Sequence, residues 1–140
     1  PSLLRGSAFQ LPFPDGAFAG AISGFVLRNL RDLDAAFREL ARVLAPGARI
    51  ALLDAAEPPN PLVRRLFDAY FGLAAPALGA LFGQRQAYAY LVRSLAHLPP
   101  RTEVCRMLEC AGLTHADAAP LDFGAVTLFS AQKPATEAGH

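Results

Sequence analysis

The chain has 140 residues, with 13 basic and 12 acidic side chains and a net charge of +1. That balance removes the electrostatic field that holds a nucleic-acid backbone, so nucleic acid is not an expected partner. A hydrophobic fraction of 53% against 18% charged residues excludes a mostly disordered polymer. A chain of this length can bury about two-thirds of its unfolded surface within one domain.

Residues 1–17 read as a loop with a short strand stub at Leu3–Leu4. Within it, Leu11 to Gly16 is turn chemistry: Pro12 and Pro14 restrict φ, and Asp15-Gly16 closes the turn. Phe18 to Phe25 is a short apolar run bounded by glycine, which predicts a buried strand. The spacing of Leu33, Phe37, Leu40 and Leu44 predicts a helix over Asp32 to Leu44 with one apolar face. Arg38, Glu39 and Arg42 fall on the opposite face, Asp32 caps the N-terminus, and Asp34 pairs with Arg38. Pro46-Gly47 ends that helix. Arg49 to Asp54 is a continuous apolar run, typical of a strand covered on both faces of a parallel sheet. Strand, helix and strand make one right-handed βαβ unit.

Glu57 to Pro61 is a rigid break, and residues 62–98 read as two or three helices interrupted at Gly72, Pro76, Gly79 and Gly83. The apolar run Ala69 to Gly83 is shorter than the roughly 20 residues that span a bilayer. It lines an apolar cavity, lies at a membrane interface, or sits in an ordinary core. After Pro99-Pro100, Thr102 to Ala111 reads as a helix with Gly112 as its C-cap. Thr114 to Asp122 and Ala125 to Gln132 read as antiparallel strands joined at Phe123-Gly124, followed by a disordered tail over 134–140. Cys105 and Cys110 have neither disulfide-framework nor metal-ligand spacing and read as buried helix cysteines in a reducing compartment. No metal site is expected. The order β-α-β-(helices)-α-β-β predicts an α/β layer protein with a mostly parallel sheet and a terminal antiparallel hairpin. A first residue Pro1 rather than Met is what a cut or processed chain would show.

Open α/β sheets place their sites just beyond the carboxyl ends of the strands, and Arg28 and Asn29 follow the first strand there. The plainer alternative is that Arg28 pairs with Asp32 and caps the helix. Asp54 and Glu57 end the second strand near the same place, or form a solvated turn. His97 has no second ligand beside it and reads as a packing or exposed residue.

Several of these segments carry a resemblance. Leu11-Pro12-Phe13, Gly24-Phe25-Val26-Leu27-Arg28-Asn29 and Arg42-Val43-Leu44 with Pro46-Gly47 are similar to motifs of the ubiquinone/menaquinone biosynthesis C-methyltransferases of the UbiE type. Tyr88-Ala89-Tyr90-Leu91, Ser94-Leu95 and Leu121-Asp122-Phe123-Gly124-Ala125-Val126 match that family's C-terminal half, so the likeness runs from Arg5 to Lys133. It implies a partial Rossmann-like class I methyltransferase sheet, with residues 18–25 as the fourth strand and 49–54 as the fifth. Residues 114–122 and 125–132 would be the sixth and seventh, the seventh inserted antiparallel. The family's Gly-rich cofactor turn and its ribose-binding acid have no counterpart here. Residues 1–133 are therefore expected to be the C-terminal part of one S-adenosylmethionine-dependent methyltransferase domain whose first strands lie upstream of Pro1.

The resemblance implies C-methylation of a prenylated quinol, demethylmenaquinone or a related precursor, with S-adenosylmethionine as methyl donor. Arg28 and Asn29 become the expected catalytic residues, and Ser7, Ala8 and Gly24 the expected cofactor contacts. A guanidinium stays charged, so Arg28 would stabilise a phenolate or orient a water rather than act as a base. Ser7 and Ala19 stand where the family has Asp, and Ala48 where it has a second Gly. Tyr70, Tyr88, Tyr90, Phe67, Phe71 and Phe82 line a prenyl channel or serve as core aromatics. Expected partners are the quinol, the membrane surface as a peripheral contact from the cytoplasm, and either a missing N-terminal half or a second copy. The competing reading is a non-catalytic remnant, or a module that binds an apolar ligand or a partner. By itself the chain is expected to be inactive and to self-associate through an unpaired edge at Phe18 to Phe25.

Overall fold

The computed structural model describes residues 3–55, 98–121 and 126–135, together with Arg65 and Ala69, both helical. Apolar alternation and capping produce four strands and two α-helices over 3–55, 98–121 and 126–135. In chain order they are β1 (Phe18–Gly24), a 3-10 turn (Leu27–Asn29), α1 (Leu33–Val43), β2 (Leu44–Ala55), α2 (Arg101–Cys110), β3 (Thr114–Leu121) and β4 (Val126–Gln132).

α1 forms where the apolar stripe predicts it. Asp32 Oδ1 accepts from the Ala35 backbone N–H at 2.8 Å, satisfying a first-turn donor. At the other end, Lys133 Nζ donates to the carbonyls of Ala41 (2.8 Å) and Leu44 (2.6 Å), which the helix itself leaves open. Leu33, Phe37 and Ala41 turn toward the sheet and are buried.

The sheet order is β1-β2-β4-β3. β1 and β2 are parallel, and β4 inserts antiparallel between β2 and β3. Register places Ile50 opposite Ala131, Leu52 opposite Phe129 and Asp54 opposite Thr127. All six are buried, so they share one face. Phe37 from α1, Val104 and Leu108 from α2, and Leu113 complete the core on that face.

Several expectations need correction. Only β1–β2 is parallel among the described pairings, so the described sheet is mixed rather than mostly parallel. β1 is not buried: it lies at the edge of the described sheet, and Ile22 is 89% exposed. Leu3 and Leu4 form no strand and are exposed; a single bridge joins Ser7 and Gln10 instead. β2 begins at Leu44 rather than Arg49, because Leu44 already pairs with Phe18. The Gly47 N–H also donates to the Lys133 carbonyl. Cys110 is exposed and Cys105 only partly buried, since α2 turns Val104 and Leu108 inward. The expected break at Glu57 to Pro61, the helices of 62–98 beyond Arg65 and Ala69, the aromatic set, His97, the Phe123-Gly124 connection and most of the tail lie outside the described residues. Among the described residues no helix is long and apolar enough to cross a membrane, and no group of three His, Cys, Asp or Glu could hold a metal.

Candidate functional site

β1 ends at Gly24, and Phe25 takes a left-handed backbone, φ +58°. That conformation costs a non-glycine residue roughly 1–2 kcal/mol. The Phe25 N–H donating to the Leu53 carbonyl at 2.7 Å holds it in place. The chain then turns through Leu27–Asn29, anchored by the buried Leu27. Asn29 Nδ2 donates back to the Phe25 carbonyl at 3.2 Å.

This turn aims Arg28 at the carboxyl end of β2. Arg28 Nη1 lies 2.8 Å from Asp54 Oδ1, and the Arg28 backbone N–H donates to Asp54 Oδ2 at 3.2 Å. Asp54 Oδ1 also accepts from the Ala55 N–H at 2.7 Å. The Asp54 side chain is fully buried and that of Arg28 is 10% exposed. Breaking such a pair by removing one partner costs about 3–5 kcal/mol, because the other charge stays buried. The Arg28 guanidinium carbon stands 5.4 Å from the centre of the half-exposed Phe25 ring, within cation–π range. Arg28 Nε is buried without a hydrogen-bond partner. Arg28 thus pairs with Asp54 rather than Asp32, whose carboxylate caps α1. Asp54 is no solvated turn residue, and Glu57 lies outside the described residues.

The neighbouring strand adds a second polar group at this end. Thr127, opposite Asp54 and fully buried, accepts from Arg101 Nε at 2.8 Å. Neither Thr127 nor Arg101 carried a sequence signal for this contact, which depends on the antiparallel register of β2 and β4.

The loop before β1 lies along α1. Arg42 Nη1 donates to the Phe13 carbonyl (2.9 Å) and to Asp15 Oδ1 (2.6 Å). Its Nη2 reaches the Leu11 carbonyl at 3.2 Å. Glu39 accepts from Arg42 Nε and Nη2 at 2.9 and 2.7 Å. Glu39 and Arg42 are therefore not a solvated helix face; they pin the Leu11–Asp15 turn. The signal available was the set of two acids and one base, Asp15, Glu39 and Arg42, which is readable only once the turn is known to cross α1.

An apolar cavity of about 130 Å³ opens between this loop, β1 and α1, with Ala8, Leu11, Ile22, Val26 and Leu40 among its walls. None of its lining residues is charged. Ala8 is at the cavity, whereas Ser7 and Gly24 do not line it. Ser7 Oγ accepts from the Phe9 N–H at 3.2 Å, within its own turn. A Cβ at Gly24 would meet nothing within 4 Å. The structure therefore brings Arg28, Asn29 and Asp54 together, and sets Ala8 at a separate apolar cleft. Cys105 is no nucleophile candidate, since burial first, then Asp117 and Glu109, push its thiol up.

Comparison with known proteins gives the family and the fold. The profile of the ubiE/COQ5 methyltransferase family matches residues 2–133. The chain is 37% identical over 131 residues to the ubiquinone/menaquinone biosynthesis C-methyltransferase UbiE of Hahella chejuensis, covering 93% of this chain and 53% of that protein. It is 37% identical over 134 residues to the demethylmenaquinone methyltransferase of Lactiplantibacillus plantarum, covering 95% and 56%. The chain thus spans about half the length of the curated relatives it matches. Among solved structures, a SAM-dependent methyltransferase from Aquifex aeolicus superposes with a TM-score of 0.59 at 16% identity, over 94% of this chain and 54% of that one. The α/β fold described above is therefore that of the class I methyltransferases.

Proposed function

This chain belongs to the ubiE/COQ5 methyltransferase family, and from that membership we propose that it serves C-methylation of a prenylated quinol, with S-adenosylmethionine as methyl donor. The observation that carries this reading is the Arg28 guanidinium, held by the buried Asp54 beyond the ends of two parallel strands. Open α/β sheets bind their ligands at that position.

Bound S-adenosylmethionine supplies an electrophilic methyl group on a sulfonium. The apolar cleft at Ala8, Leu11, Ile22 and Val26 fits the faces of a purine ring, and the open space over Gly24 leaves room for a close approach. The quinol must be electron-rich at the carbon to be methylated. Arg28 provides for that by stabilising the hydroquinone oxygen as an oxyanion, since a guanidinium keeps its proton. A single donor of this kind is worth about 10²–10³ in rate. Asn29 fixes the Phe25 carbonyl and so the turn that carries Arg28. A prenylated substrate partitions into the bilayer, so the reaction is placed at the membrane surface, by peripheral contact.

The test is methyl transfer by the product of the complete reading frame that contains these residues. With isotopically labelled S-adenosylmethionine and a prenylated hydroquinone, mass spectrometry is expected to find the label on a ring carbon. Arg28→Met is expected to lower kcat by about 100-fold or more. Label on oxygen, or none on any hydroquinone while S-adenosylmethionine still binds, would overturn the reading.

A further inference from the structure

We propose that Asp54 is a positioning residue that sets the orientation of Arg28 for this reaction; the proposal rests on the methyl-transfer reading above. Asp54 grips Arg28 at both ends. One carboxylate oxygen holds the side-chain Nη1 at 2.8 Å, and the other accepts the Arg28 backbone N–H at 3.2 Å. The turn and the guanidinium are thereby fixed to the same point on β2. The Ala55 N–H, at 2.7 Å from Oδ1, fixes the carboxylate itself.

An arginine side chain has several freely rotating bonds, and a useful oxyanion contact needs its donors within a few tenths of an ångström of the reacting oxygen. Two contacts remove most of that freedom. Asp54 ties Nη1, and the Phe25 ring lies 5.4 Å from the guanidinium carbon. Phe25 can stand there because its backbone takes φ +58° beside the end of β2. Asp54 also balances the charge of a guanidinium that is 10% exposed, so the cation remains buried and unscreened at the end of the sheet. Asp54 is fully buried and is assigned no contact with the substrate.

The experiment uses the product of the complete reading frame in the methyl-transfer assay. Asp54→Asn is expected to lower kcat by at least about tenfold while the KM for S-adenosylmethionine moves by less than about twofold. Asp54→Glu, which restores a carboxylate, is expected to recover several-fold over Asp54→Asn. Arg28→Ala is expected to regain rate, saturably, when millimolar guanidinium ion is added, and Arg28→Ala/Asp54→Asn is not. The double variant leaves neither charge of the pair buried alone, so its comparison with Arg28→Ala stands even if Asp54→Asn by itself fails to fold. Wild-type kcat in Asp54→Asn, equal rates in the Asn and Glu variants, or no guanidinium rescue of Arg28→Ala would each overturn the proposal. A wild-type protein that methylates no hydroquinone overturns the functional reading and this proposal with it. Wild-type turnover shared by Asp54→Asn, with Arg28→Ala impaired, overturns this proposal alone.

Discussion

Leu11 and Glu39, 28 residues apart, are joined by a hydrogen bond of 2.7 Å from the Leu11 backbone N–H to Glu39 Oε1. Together with Arg42 this contact docks the loop ahead of β1 onto α1. The Glu39 pKa is held down from the ordinary 4.5 to about 2, chiefly by the Arg42 hydrogen bonds and next by the Leu11 amide. A carboxyl with a depressed folded pKa stabilises the fold above its unfolded value and loses that contribution as pH falls. The window here runs from pH 4.5 down to about 2. Glu39→Gln is expected to melt lower than the parent at neutral pH and to close that gap across the window. Melting curves of the two that stay parallel from neutral pH to pH 2 would contradict it.

Thr127→Val is expected to destabilise the fold by about 1–2 kcal/mol, because it removes the buried hydroxyl that accepts from Arg101 Nε while keeping the side-chain volume. Thr127→Ser keeps the hydroxyl and should lie closer to the parent. Urea denaturation reads the difference as a shift in midpoint at constant slope.

Gly47 has φ +79°, and nothing lies within 4 Å of the Cβ that alanine would add. Gly47→Ala therefore tests backbone conformation without a clash. The expected loss is about 1 kcal/mol, from placing an L side chain in the left-handed region. An unchanged denaturation midpoint would show that the turn relaxes to negative φ.

Ile22 is 89% exposed on β1, which forms one edge of the described sheet. An exposed apolar edge of this kind is a template for pairing with another chain. Residues 1–140 expressed alone are expected to sediment as a self-associated species, with Ile22→Lys shifting the distribution toward monomer. A monodisperse monomer at high concentration without that substitution would sink the expectation.

The legible parts of this protein are those whose contacts are short in sequence. Leu33, Phe37 and Ala41 repeat at helical spacing, Asp32 caps three residues ahead, and Gly112 closes α2 with a left-handed φ of +90°. The antiparallel pairing of β3 and β4 followed from the short connection read at Phe123-Gly124. Arg28 could be placed at a strand end because a strand ends there. Its partner could not, since Asp54 is 26 residues away and meets it only in the parallel register of β1 and β2. Glu39 and Arg42 occupy a polar helix face that looks solvated in any periodicity analysis, and only the path of the preceding loop covers it. The exposure of β1 was hidden for the opposite reason: Phe18 and Ile22 report an apolar strand but not what lies against its free side.

β4 lies between β2 and β3 in space yet follows both in the chain. During synthesis, β2 leaves the ribosome with one long side open until its Ala55–Val126 and Asp54–Thr127 partners exist. Closure waits for β4 to emerge, and so falls after β2 and β3 are made. A nascent chain arrested shortly before residue 126 would lack the middle of the sheet rather than its margin, leaving two strands with no common neighbour.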